Sequence, residues 1–158
     1  MKAVFGWVLN HIANGEEEEE LYAQRSKLLR FEDKKWKERG LGEAKLLKDK
    51  ATGRIRFLLR QEKTDIIAAN HYVIDHAPYC DLRPNAGSDK IWVWFAQDWC
   101  EGGLVEQYAL KFGTADLATK FKEAFNDAKA QNSAVRKAEE GHAEDFTDNK
   151  NVKVEGKG

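Results

Sequence analysis

The sequence predicts a mainly β domain, a seven-stranded antiparallel barrel or sandwich capped by one C-terminal α-helix. Three observations carry that expectation. Residues 54–60 alternate, with Ile55, Phe57 and Leu59 on one side and Arg54, Arg56 and Arg60 on the other, the period of a half-buried strand. Short apolar runs of this kind recur between turn residues through about 90 residues. The period then changes after Thr114, where Leu117, Phe121, Phe125 and Ala128 fall on one face of a helix.

The elements follow in order. Residues 1–15 hold Val4, Phe5, Val8, Leu9 and Ile12 at helical spacing and read as an apolar arm. Asn14-Gly15 and an acidic segment at 16–20 separate this arm from the domain, which is placed at 21–132. Strands are expected at 27–31, 44–47, 54–60, 66–69, 71–74, 91–96 and 107–112. Ala51-Thr52-Gly53, residues 85–88 and Glu101-Gly102-Gly103 mark turns. Trp92 and Trp94 alternate within an apolar strand and read as core. Thr114 is a suitable helix N-cap, with Asp116 in the first turn. Residues 133–158 are rich in Lys, Glu, Asn and Gly and read as a disordered tail.

Composition limits the function. The 158 residues are 42% hydrophobic, enough for one domain with a core, and carry a net charge of −1. That total hides a split. Residues 16–20 are five consecutive Glu, whereas 21–70 hold 14 Lys/Arg against 7 Asp/Glu, a net of +7. Such a distribution points to a two-signed protein interface. The Glu block would repel phosphate, which argues against nucleic acid. No stretch approaches the ~20 apolar residues of a membrane helix. Cys80 and Cys100 have no metal or disulfide spacing and read as reduced thiols. His71 and His76 lack companion ligands, and no phosphate-binding or nucleophile motif is present. These features favour a binding protein that is not an enzyme and needs no cofactor or metal.

The most informative segment is Trp36-Lys37-Glu38-Arg39-Gly40, an aromatic side chain among charges, closed by Gly. A core strand would not carry so many charges, and a solvated loop has no need of Trp. Trp with Arg is a usual composition of a binding hot spot. Two placements of Trp36 stand open at this point: against a partner, or packed inward so as to hold Lys37 and Arg39.

Further segments extend the pattern. They are Leu-Tyr-x-x-Arg-x-Lys-Leu-x-Arg-Phe at 21–31, Lys-Leu-Leu-Lys at 45–48, Lys63-Thr64, Ala69-Asn70-His71, Arg-Pro-Asn-Ala-Gly-Ser-Asp at 83–89, Trp92-Val93-Trp94 and Phe121-Lys122. With the pentapeptide, and in this order, they resemble the Ran-binding domain family over about residues 16–132, most closely its small stand-alone cytosolic member. The resemblance implies a pleckstrin-homology-like fold and a non-catalytic partner of the GTP form of the small GTPase Ran. Such a partner releases Ran from transport receptors and promotes hydrolysis stimulated by the GTPase-activating protein. It also implies a monomer in the cytoplasm that shuttles through the nucleus.

The resemblance further implies roles for residues. Trp36, Lys37, Glu38, Arg39 and Gly40 would contact Ran. Glu16, Glu17, Glu18, Glu19 and Glu20 would form an acidic arm reaching a basic surface of Ran. Arg54, Arg56, Arg60, Lys45 and Lys48 would receive the acidic C-terminus of Ran. Exposed charge pairs contribute about 0–1 kcal/mol each, whereas a desolvated Trp anchor contributes about 2–4 kcal/mol. Trp36 should therefore set affinity and the charged runs should set on-rate. Two departures weaken the match: Gln61 and Asp65 stand where relatives often carry basic residues, and 133–158 hold no Leu or Ile for an export signal. The alternative is an adaptor of the same superfold for proline-rich peptides or phosphoinositides.

Overall fold

The computed structural model describes residues 17–157; the apolar arm at 1–15 and Glu16 lie outside the described residues. The strands are β1 (Glu18–Glu32), β2 (Lys35–Asp49), β3 (Ile55–Arg60), β4 (Ile67–Tyr72), β5 (Arg83–Asn85), β6 (Ser88–Asp98) and β7 (Leu104–Lys111), followed by helix α1 (Ala115–Lys157). All seven strands form one antiparallel sheet in the order β4-β3-β2-β1-β7-β6-β5. The expected fold class is therefore observed.

The sheet curls around an aromatic interior. Phe57, Trp94, Tyr108, Phe121 and Phe125 are fully or almost fully buried, and their rings meet edge-on or tilted at 5.2–6.4 Å. Such contacts add to the burial of large apolar surfaces. Helix α1 supplies Phe121, Phe125 and Ala128 to this core from one face, as the spacing predicts. Thr114 caps it by accepting from Leu117 N at 3.1 Å. Trp92 is half-buried against the core and donates to Ala118 O at 2.8 Å, tying β6 to α1.

Two buried polar side chains fasten the curled sheet. Asp98, at the end of β6, accepts from Asn70 N of β4 (2.9 Å), Tyr108 Oη of β7 (2.5 Å) and Cys100 N (2.7 Å). Asn132 of α1 accepts from Ile55 N (2.8 Å) and donates to Ile55 O (2.8 Å) and Val73 O (2.9 Å). The helix is thereby hydrogen-bonded directly to the sheet.

The structure corrects several sequence expectations. β1 and β2 each run for 15 residues and meet at a hairpin whose turn residues, Asp33 and Lys34, both have positive φ (53° and 63°). Residues 36–40 lie in strand β2; that stretch pairs only with β1 among the strands, so its charges are kept out of the core. The segments 66–69 and 71–74 merge into β4, because Asn70 is held in register by its N–H bond to Asp98. β5 falls at the margin of the expected 85–88 turn, and Pro84 is tolerated there because β5 is an edge strand. Helix α1 continues past the expected tail boundary at 133: Arg54 pairs with Glu139 at 2.6 Å, and Arg136 with Glu140 at 3.7 Å. Ala134, Lys137, Ala138, Glu139 and Glu140 are all good helix formers.

His71 is fully buried among Phe57, Trp94 and Tyr108. The Trp94 indole donates to its Nε2 at 3.2 Å. An indole is only a donor, so the proton sits on Nδ1, which donates to Tyr72 O at 2.9 Å. Burial pushes the His71 pKa down, opposed in smaller part by the charge of Asp98. The unfolded chain then binds a proton below about pH 6.5 that the folded chain excludes. Its contribution to stability is complete above that pH and is lost as pH falls. Melting temperature should therefore drop between pH 7 and 5.5, and His71→Gln should flatten that slope when followed by circular dichroism.

Candidate functional site

The pentapeptide forms the outer half of the β1–β2 hairpin. Trp36 stands opposite Phe31 in the register, and the rings meet edge-on at 5.2 Å. Both are partly exposed, Phe31 at 40% and Trp36 at 38%. Trp36 thus packs on its cross-strand neighbour outside the core, which leaves an aromatic pair at the tip of the hairpin. The surrounding charges are ordered by one another. Lys37 reaches Asp33 (3.3 Å) and Glu32 (3.4 Å), which raise its pKa, and Glu38 reaches Lys27 (3.2 Å).

A β-bulge lies within the motif. Leu28 pairs with Gly40 and Leu29 with Glu38, so Arg39 is the extra residue. A bulge bends a strand and re-aims side chains. The far edge of β2 is then closed by the β3–β4 turn: Gln61 Nε2 donates to Arg39 O (2.6 Å), Glu62 N donates to Leu41 O (2.9 Å), and Thr64 Oγ1 donates to Gln61 Oε1 (2.5 Å). Two glycines allow this approach. A Cβ on Gly40 would lie 2.7 Å from Gln61 Cγ, and one on Gly42 would lie 2.0 Å from Arg60 O. Arg25 holds the same turn from the other side through Glu62 (2.7 and 3.0 Å), which lowers the Glu62 carboxyl pKa. A groove of about 350 Å³ results, lined by Glu38, Arg39, Gly40 and Leu41 across from residues 61–64.

A second groove of about 230 Å³ adjoins it, with Leu58 in its lining between Lys45 and Arg60. Five cations were expected on this outer face, and the structure divides them. Lys45 and Arg60 line the groove. Arg56 is only 7% exposed. Its guanidinium is filled by Glu18 in a bidentate pair (2.8 and 2.9 Å) and by Asn70 (3.1 Å). Arg54 turns to Glu139 of α1. Lys48 pairs in register with inward-facing Ile55 and bonds to Gln131 of α1 (3.2 Å), on the helix side of the sheet. Alternation along one strand could not show that α1 or a neighbouring strand would claim three of them.

The acidic segment is likewise drawn in. Glu18, Glu19 and Glu20 begin β1, paired with Asp49, Lys48 and Leu47, and Glu17 precedes it in a short turn. Glu20 contacts Lys45 at 3.2 Å. Gly42 and Glu62 belong to the site and have no mark in the sequence, while Phe31 stands out only as the end of a motif and Gln61 only as a departure from the family pattern. Only Asp33, a residue tolerant of positive φ, signalled the hairpin that assembles them. Among the described residues no group of His, Cys, Asp or Glu is placed to hold a metal ion. No helix there is long and apolar enough to cross a membrane.

Comparisons with known proteins give the relatives of the chain as a whole. A family model described as RanBP1 domain matches residues 11–131. The E3 SUMO-protein ligase RanBP2 of Homo sapiens is 43% identical over 120 residues, covering 73% of this chain and 4% of that protein. RANBP2-like and GRIP domain-containing protein 8 of Homo sapiens is 42% identical over 120 residues, covering 73% of this chain and 7% of that protein. The chain thus spans about 4% of the length of the first curated relatives it matches. The solved Ran-binding domain of the nuclear complex component Nup2 from Ashbya gossypii has a TM-score of 0.61 at 27% identity, covering 73% of this chain and 97% of that chain.

The close approach at Gly42 makes it the most sensitive residue of this surface. Gly42→Ala places a methyl group against backbone and should cost about 2 kcal/mol or more. Gly40→Ala meets side-chain atoms, Gln61 Cγ at 2.7 Å and Ala68 Cβ at 3.4 Å, rather than backbone and should cost less. Urea unfolding of the two variants measures the difference.

Proposed function

The chain belongs to the RanBP1-domain family, and from that membership we propose that it binds the small GTPase Ran in its GTP form as a non-catalytic partner in nucleocytoplasmic transport. The family is a binding module rather than a catalytic one. The ligase activity named for RanBP2 is that of a whole protein of which this chain matches 4%. The observation that carries the reading is the match across residues 11–131 together with Trp36-Lys37-Glu38-Arg39-Gly40 on an accessible hairpin.

The surface suits a partner with an extended acidic segment. Trp36 and Phe31 offer apolar area at the tip. The two grooves beyond them run along the bulged edge of β2 and end at Lys45 and Arg60. An aromatic anchor supplies affinity when it is desolvated. The cations steer the approach and orient the bound segment. Preference for the GTP form requires a segment that Ran frees only in that state, because a binder shifts an equilibrium only by its differential affinity. On this reading the domain, a monomer in the cytoplasm that passes through the nucleus, takes Ran from transport receptors. It then presents Ran to the GTPase-activating protein without supplying a catalytic residue.

A pull-down with Ran loaded with GTP or GDP, with and without its acidic C-terminus, tests the reading. Retention of intact Ran-GTP alone is the expected result, and equal retention of all forms counts against it. Calorimetry with Trp36→Ala should show affinity weakened at least about tenfold, with the circular dichroism spectrum unchanged.

A further inference from the structure

Arg56, Lys45, Arg60 and Arg54 each already have an anion of this chain. Glu18 occupies Arg56, and the side chains of that pair are only 6% and 9% exposed. Glu20 and Glu43 contact Lys45 at 3.2 and 3.8 Å. Asp65 contacts Arg60 through its carboxylate (3.7 Å) and its carbonyl (3.1 Å). Glu139 occupies Arg54. The surface is cationic in sequence and largely neutralised in structure.

We infer that the acidic start of β1, chiefly Glu18 and Glu20, is a built-in competitor for the acidic peptide that this surface binds. This rests on the proposed binding of an acidic segment. Two sets of carboxylates cannot both fill the guanidinium of Arg56, whose donors are shared between Glu18 and Asn70. The internal carboxylates are tethered, so their effective concentration is high and they hold the site in the free chain. A ligand must therefore displace them, and its apparent affinity falls by the fraction of chains in which they have left.

The contacts also set an order of displacement. Asp65 is the most exposed of these anions and its carboxylate makes one long contact, so Arg60 opens first. Lys45 follows, since Glu20 is half exposed. Arg56 opens last, because its partner is buried and makes two short bonds. Glu18 is the first residue of β1, where strand ends fray most easily. Once released, the acidic segment is free for a basic surface of the partner, so one displacement both opens a site and exposes a second contact.

The probe is a fluorescent hexa-aspartate peptide, titrated against the full chain and followed by anisotropy at low and at physiological ionic strength. Glu20→Gln and Glu18→Gln should each bind it about three- to fivefold more tightly than the unaltered chain. Thermal melts establish which variants remain folded. Should Glu18→Gln unfold, exposed Glu20→Gln and Asp65→Asn still decide the matter. Unchanged or weaker binding by folded variants, with the unaltered chain binding normally, overturns the competitor and leaves the proposed function standing. Failure of every form to bind, with Ran-GTP binding unaffected by Lys45→Glu and Arg60→Glu, overturns the acidic-peptide reading and this inference with it.

Discussion

The carboxylate of Asp98 sits in the interior with no solvent access and accepts three hydrogen bonds from three segments. β4 is one end of the hydrogen-bonded strand order and β6 is next to the other, so the bond from Asn70 N draws the two sides of the sheet together. A buried carboxylate left unpaired is strongly destabilising, which makes the curl and the satisfaction of Asp98 one event. The aromatic core fills the space that the curl encloses, and α1 closes it through Asn132. The outer surface is what the curl leaves outside.

That surface is shaped by strand pairing more than by side-chain composition. β2 runs beyond its pairing with β3, so residues 35–40 have β1 on one side and a free strand edge on the other, while β1 stays paired with β7 as far as Arg30. An edge stretch of this kind can carry Trp, Lys, Glu and Arg together, a mixture that a central strand would exclude. The bulge at Arg39 and the glycine at 42 let the β3–β4 turn dock on the free edge. An open edge with unpaired backbone groups becomes a defined groove. The candidate surface and the protection of the strand edge are thus built from the same residues.

Much of this was readable beforehand, for stated reasons. Alternation over 55–60 and the helical spacing of Phe121 and Phe125 report local burial, which is a property of each element alone. The hairpin tip was not legible as strand, because its charges obey no period-2 pattern and its turn lacks the usual Asn-Gly. Gly53, Gly102 and Gly103 mark turns by their own local sequence; Gly42 matters because Arg60 O, 18 positions away, comes within van der Waals reach.

The sequence by itself determined the class of fold, the family, and the two residue features of the candidate surface, an aromatic side chain among charges and a surplus of cations. Periodicity and motif order are encoded position by position and need no knowledge of neighbours in space. Only the tertiary structure decided which cations remain open. Arg56 and Arg54 alternate correctly to face solvent, yet Glu18 and Glu139, 38 and 85 residues away, fold onto them. The reason is that a charge is satisfied by whatever opposite charge the fold brings within a few ångströms, and that pairing is set by strand register and helix length, not by spacing along the chain.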